Sequence, residues 1–263
     1  MAEVAREIQS CQDDWDRIEL DGVRADNLIV NTLADALKDY GFSVNTRRIA
    51  SCWRLHLPAT MDEYLAQNSK NHRKHARRKL KLFESGSVEV RDAIDDASFE
   101  EGYRILRELH QRRRNSLGDV GCFASESYNR FLHEAARGLM KEGMLRLFWL
   151  QVAGEPIAAD IAIKTTTGVF AYQAGISPEH LAHEPGRLAN LWHIKRAIED
   201  GLAFVDFLRG DEPYKRLLHA KPISCVKYEV VPARFKSQVC QTFIDGGRTV
   251  KALWAGFASS VVD

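Results

Sequence analysis

Two stretches concentrate the residue types that could do chemistry. Pro185-Gly186-Arg187-Leu188 opens a segment in which Leu188, Leu191, Trp192, Ile194 and Ile198 recur at helical spacing. A short apolar run then leads into Asp206-Phe207-Leu208-Arg209-Gly210-Asp211-Glu212-Pro213-Tyr214-Lys215. A helix N-terminus turns unpaired N–H groups and partial positive charge outward, so Gly186, Arg187 and Leu188 are expected to form a phosphate seat. Gly201 is expected to end that helix, and residues 203–208 return as a strand. Asp206 shares a face of the strand with Phe204 and Leu208. A carboxylate among apolar neighbours must find a basic partner or carry a raised pKa suited to proton transfer. Arg209 is its nearest basic candidate in sequence, although it points to the other face. Arg209, Asp211, Tyr214 and Lys215 fall just past the strand's C-terminal end, where open α/β sheets place ligands; a charged loop that only caps the strand is the structural alternative.

Composition narrows the classes. The chain has 263 residues, 45% of them hydrophobic, and a formal net charge of +1, so bulk charge recommends neither nucleic acid nor a membrane surface. Cys11, Cys52, Cys122, Cys225 and Cys240 are scattered, odd in number and free of CxxC spacing, which suits reduced thiols in a cytoplasm. No run approaches membrane-spanning length, so the expectation is a cytoplasmic protein without membrane insertion. Nine histidines form neither HxH nor HExxH, and no metal is expected. A GxSxG nucleophile elbow is likewise missing. Charge concentrates only at Lys70, His72, Arg73, Lys74, His75, Arg77, Arg78, Lys79 and Lys81, with no acid among them. That run reads as a solvated linker helix or as a face for a ligand's phosphates, an anionic polymer or RNA. No aromatic residue interleaves it, which counts against stacking on single strands.

The elements that must position these residues alternate in period. Trp15–Leu20 reads as a strand, and a helix from Asp26 closes at Gly41. Residues 42–46 and 52–57 read as two strands. Thr60 with Glu63 and Ser98 with Glu101 have capping-box spacing for helices that follow. A further helix from Ser125 is expected to bury Tyr128, Phe131, Leu132, Ala135 and Leu139. Residues 144–152, 157–164 and 169–176 alternate about two short turns, an antiparallel meander, and the helix between 176 and 203 implies a parallel crossover. Residues 223–231 form a last strand. The expected division is a partial first half at 1–58, basic linker helices at 59–86, a main α/β domain with a mixed sheet at 87–232 and a helical tail at 233–263.

The order helix, helix, meander, helix, parallel strand resembles the core of the GNAT N-acetyltransferase superfamily. Phe207-Leu208-Arg209-Gly210-Asp211-Glu212-Pro213-Tyr214-Lys215, with Pro185–Leu188 upstream and Ser69-Lys70 at the basic helix, resembles the CelD/BcsL acetyltransferases of cellulose and exopolysaccharide biosynthesis, which are similar to FemAB-type tandem-GNAT transferases. The resemblance implies a GNAT-like acyltransferase fold whose first half is shortened. It also implies acetyl-CoA or another acyl-CoA as co-substrate and a small-molecule or saccharide amine as acceptor. Gly186, Arg187 and Leu188 would then hold the CoA pyrophosphate, though only Gly186 fits the usual phosphate-loop pattern; Tyr172 and Gln173 would lie on the strand that meets the pantetheine. Acyl transfer needs an acid for the departing thiolate and a base for the amine, roles that Tyr214 and Asp211 could fill, with Asp206 as a further titratable group and Arg209 or Lys215 holding an anion. Two other readings stay open: a catalytically silent accessory protein, and a FemAB-like aminoacyl-tRNA-dependent transferase, for which tRNA is the nucleic-acid partner. The uncovered sheet edge of a short first half points to a homodimer.

Overall fold

The computed structural model describes residues 1–234 and is a mixed α/β structure with two compact units, Met1–Ser51 with the described residues from Ile223 onward, and Cys52–Pro222. The expected tail at 233–263 lies almost wholly outside the described residues. In the second unit the strands run β2 (Ser43–His56, its last part), β7 (Phe204–Arg209), β6 (Gly168–Ile176), β5 (Glu155–Lys164), β4 (Leu145–Val152) and β3 (Glu89–Asp92). All neighbours are antiparallel except β6 and β7, because α7 (Pro185–Glu199) carries the chain across between them, as the sequence implies.

Strand alternation sorts the two faces. Ala159 and Ile161 of β5 pack with Phe99, Leu106 and Leu109 of α5 (Asp96–Ser116), together with Leu132 and Ala136 of α6 (Glu126–Lys141). Ala158 and Ala162 point the other way, toward Leu188, Leu191 and Ile194 of α7. Helix α5 descends on β6 at Gly175, where a Cβ would lie 2.6 Å from the His110 amide nitrogen and 2.8 Å from the Leu106 carbonyl oxygen. Only glycine allows that approach.

Several boundaries differ from the sequence expectation. The N-cap of α5 is Asp95, not Ser98: Asp95 accepts the Ser98 N–H at 2.8 Å and Ser98 Oγ accepts the Asp95 N–H at 3.0 Å. Thr60 caps α3 (Met61–Ala66) as expected, accepting the Glu63 N–H at 3.2 Å, but the Glu63 carboxylate accepts the Ala59 N–H instead of closing the box on Thr60. Phe131 is exposed; the buried stripe of α6 centres on Leu132 and Ala136. The basic segment is no free linker, since α3 and α4 (Lys70–Glu84) place Tyr64, Leu65, Ala76 and Leu80 in the core with Trp53, Leu55 and Leu191. Lys79 is buried with them, while Lys70, Lys74, Arg78 and Lys81 face solvent.

In the first unit the polar N-terminal segment forms α1 (Ala2–Ser10), burying Ala5 against Leu37 of α2 (Leu28–Asp39), Phe42 and Val230. Strand β1 (Ile18–Arg24) pairs antiparallel with β8 (Lys221–Val231), Ile18 opposite Val230 and Leu20 opposite Tyr228. Residues 42–46 and 52–57 belong to one strand, β2, rather than two. Because β8 returns to β1, the unit boundaries at 51 and 222 do not coincide with the divisions at 58, 86 and 232 expected from the sequence.

Candidate active site

Strands β6 and β7 pair at Gly168–Phe204, Val169–Val205 and Phe170–Asp206, and among the described residues no further pair joins them. Beyond that point lies a cleft of about 620 Å³. Its floor is Asp160 of β5 with Ala174, Gly175 and Ile176 of β6. Its walls are His110, Arg113 and Arg114 at the end of α5, Glu184, Gly186 and Arg187 at the start of α7, and Glu212, Tyr214 and Leu218 around α8 (Pro213–Leu217).

The sequence places three candidate residues on or near α8 that the structure uses otherwise. Asp206 is buried, and its Oδ2 accepts from Arg54 Nε and Nη2 at 3.0 and 2.9 Å, while Oδ1 accepts the Leu208 N–H at 2.8 Å. Its partner is thus Arg54, directly opposite on β2, and not Arg209. Asp211 accepts from Trp53 Nε1 at 2.9 Å. Lys215 is 2% exposed and donates to the carbonyls of Leu208, Arg209 and Gly210 at 3.0–3.3 Å, with Glu212 at 2.9 Å. Leu208 (φ 54°) and Gly210 (φ 118°) are left-handed there, so these bonds hold a tightly turned segment in place. Asp206, Asp211, Lys215 and the exposed Arg209 do not line the cleft; Tyr214 does.

The other candidates divide similarly. Gly186 and Arg187 line the cleft, whereas the Leu188 side chain is fully buried in the core with Phe148 and Ala158. On β6 the register slips so that Ile161 faces Gln173 and Ala162 faces Ala171, leaving Tyr172 as the extra residue of a bulge. Gln173 Nε2 donates to Cys122 Sγ at 2.9 Å, and neither Tyr172 nor Gln173 lines the cleft.

The phosphate seat is narrower than expected. Pro185 has no N–H, and the amides of Arg187 and Leu188 both turn onto the Glu184 carbonyl at 3.0 and 3.1 Å, which leaves the Gly186 N–H. Glu184, the left-handed N-cap residue (φ 56°), places its carboxylate 2.8 Å from both Lys79 Nζ and His75 Nε2. Burial opposes its charge, but those two hydrogen bonds prevail and hold the carboxyl below its ordinary range. Room remains at Gly186, where a Cβ would meet only Ile176 Cγ2, at 3.9 Å.

Asp160 is the group the sequence reading missed. It is 6% exposed, and burial pushes its carboxyl up to about 7. Tyr214, with its ring partly buried and the carboxylates of Glu212 and Asp160 near, is pushed up to about 12 and stays protonated. The cleft therefore holds one group poised near neutrality and one retained proton donor. His110 is buried and held below its ordinary range by burial and by Arg114. Among the described residues, no three His, Cys, Asp or Glu side chains gather as for a metal ion.

With this geometry, the family comparison is decisive: the model described as "Acetyltransferase (GNAT) domain" matches residues 70–216, more than half of the chain, from α4 into α8. The chain belongs to the GNAT acetyltransferase domain family. This GNAT chain is accordingly an N-acyltransferase, and the splayed strands with their cleft are its candidate active site. It shares its fold with a FemX crystal structure (TM-score 0.65, 14% identity, covering 90% of this chain and 77% of that one). It is similar to the C-terminal domain of a putative lysylphosphatidylglycerol synthetase from Agrobacterium fabrum (TM-score 0.59, 10% identity, 91% and 75% covered). The same holds for L-PGS from Bacillus licheniformis (TM-score 0.57, 10% identity, 92% and 76% covered). At such identities the likeness is one of fold. No curated protein matches the GNAT chain by sequence. No helix among its described residues is long and apolar enough to cross a membrane.

Proposed function

We propose that this GNAT domain transfers an acyl group, acetyl in the simplest case, from acyl-CoA to a small amine or amino-sugar acceptor, with Asp160 and Tyr214 handling the protons. The observation that carries this reading is the convergence of those two side chains with Gly186 and Arg187 on one cleft at the β6/β7 splay. Acyl-CoA supplies an activated thioester. The Gly186 N–H and the Arg187 guanidinium fit a phosphate of such a donor, and the room at Gly186 admits it. Asp160, ionised as pH rises through neutrality, takes the proton from the attacking nitrogen; Tyr214 gives its proton to the departing sulfur. A role in bacterial polysaccharide synthesis follows from the resemblance of Phe207–Lys215 to the CelD/BcsL proteins, and a saccharide amine is the acceptor that goes with it.

A second reading draws on Glu184. A carboxylate beside the only open N–H of the α7 turn is unfavourable for a pyrophosphate, and one fold neighbour is named for lysylphosphatidylglycerol synthesis; both favour an aminoacyl ester as donor. Calorimetry separates the two. Saturable binding of acetyl-CoA, followed by thiol release on adding an amine, supports the first. Absence of CoA binding together with retention of tRNA at moderate salt replaces it with the second.

A further inference from the structure

His193 lies directly behind Asp160, on α7, with Nε2 3.7 Å from Asp160 Oδ2. It is 2% exposed, its ring stands edge-on to Phe148 with centroids 4.8 Å apart, and neither ring nitrogen has a hydrogen-bond partner. Burying two unpaired polar atoms is costly, and a leucine or phenylalanine would fill the same space without that cost. Burial and then Arg146 hold the imidazole down to about 3, so it stays neutral and forms no ion pair with Asp160. A neutral imidazole has one N–H and one lone pair, and which nitrogen carries which is set by the bond the other makes. With both nitrogens unbonded, nothing locks the tautomer of His193.

Resting on the acyl-transfer reading above, we propose that His193 is a positioning residue that hydrogen-bonds Asp160 in both of its protonation states by exchanging tautomers. As the Nε2–H form it donates to the carboxylate; as the Nδ1–H form it accepts from the carboxylic acid. Less than about 1 Å of approach makes the bond, a tightening of the kind active sites undergo when ligand binds. The consequence is a base whose proton affinity is kept near neutrality although little of it is exposed at the floor of the cleft. The charged and titratable groups around the pair are Arg146 from β4, Tyr214 and Glu212 at α8, Glu184 and Arg187 at α7, and His110, Arg113 and Arg114 of α5 across the cleft.

The experiment compares wild type, His193→Phe and His193→Gln. In each, kcat is followed from pH 5 to 10, and the Asp160 carboxyl is titrated by carbon-13 NMR. Phenylalanine keeps the aromatic packing and removes both nitrogens. Because the bond to the charged carboxylate is the stronger of the two, the limb set by Asp160 should move up by at least one pH unit, so turnover at pH 7 falls about fivefold or more and recovers at high pH, with KM for the donor unchanged. Glutamine, which carries a donor and an acceptor on one amide, should restore most of the wild-type profile. A limb and a carboxyl titration within 0.3 unit of wild type in His193→Phe would overturn the proposal while leaving the acyl-transfer reading intact. A wild-type protein that transfers no acyl group from any donor overturns that reading instead, and the NMR titration then still decides whether His193 sets Asp160.

Discussion

Replacing Asp160 with asparagine should change how stability depends on pH. Asp160 is buried against Ala174 on β6 and shielded by α7, and its carboxyl rises from 3.8 to about 7 on folding. A group whose folded pKa is raised binds more protons in the native state; its favourable contribution is complete below the unfolded pKa and is lost as pH climbs through the folded one. Three decades of proton affinity correspond to roughly 4 kcal/mol at about 1.36 kcal/mol each. Somewhat more than one decade is already lost by pH 5, so about 3 kcal/mol remains to be lost between pH 5 and pH 9. Asparagine is nearly isosteric with the protonated acid and does not titrate. Urea denaturation of both proteins at pH 5, 7 and 9 should therefore show Asp160→Asn gaining about 3 kcal/mol on wild type across that range, with most of the gain below pH 7.5. His193 is held neutral across this range, and groups remote from Asp160 contribute equally to both proteins and cancel. If the difference between the two proteins varies by less than about 0.5 kcal/mol from pH 5 to pH 9, burial does not raise the Asp160 carboxyl toward neutrality.

Tyr214→Phe removes one hydroxyl facing the cleft and should lower turnover about a hundredfold with little change in donor affinity; stopped-flow thiol release that stays within threefold of wild type would remove Tyr214 from the mechanism. Gly186→Glu adds a Cβ that meets only Ile176 Cγ2, at 3.9 Å, and puts a second carboxylate at the start of α7, so calorimetry should show donor binding abolished while the melting temperature is kept. Arg54→Ala leaves Asp206 buried without its cation and should cost about 3–5 kcal/mol of stability; a loss below about 1 kcal/mol in urea would mean that the pair does not hold β2 to β7.

Much of the architecture was legible because it is written in local periodicity. The meander at 144–176, its short turns and the α7 crossover follow from alternation and from glycine positions that need no distant partner. What sequence could not show is which segments return to one another. Strand β8 reads like the end of the preceding domain, yet its hydrogen bonds go to β1, some two hundred residues earlier. The basic helix reads as solvated because charge dominates its composition, while Ala76, Leu80 and the buried Lys79 are enough to dock one stripe of it. Asp95 and Ser98 show the same effect on a small scale: two overlapping capping patterns compete, and only the register of α5 on the sheet selects between them.

The site follows a sharper rule. Charge is crowded at residues 206–215, but most of it is already satisfied by the fold: Asp206 takes Arg54 and Asp211 takes Trp53, both from β2, and Lys215 takes three carbonyls and Glu212. Those bonds fix a left-handed turn, and the turn is what delivers Tyr214 to the cleft. The chemically suggestive side chains thus do structural work for the one that faces substrate. Asp160 has the opposite signature, a single acid in Ile157-Ala158-Ala159-Asp160-Ile161-Ala162-Ile163 with no base in the run. A carboxylate on an apolar strand must pair or shift, and Asp160 is more constrained in this than Asp206, because β5 lies between two other strands and has apolar neighbours on both faces. A lone acid in an inner strand is therefore a better pointer to proton chemistry in this fold than a cluster of charges at a strand end, and the two differ only in whether the surrounding chain offers the charge a partner.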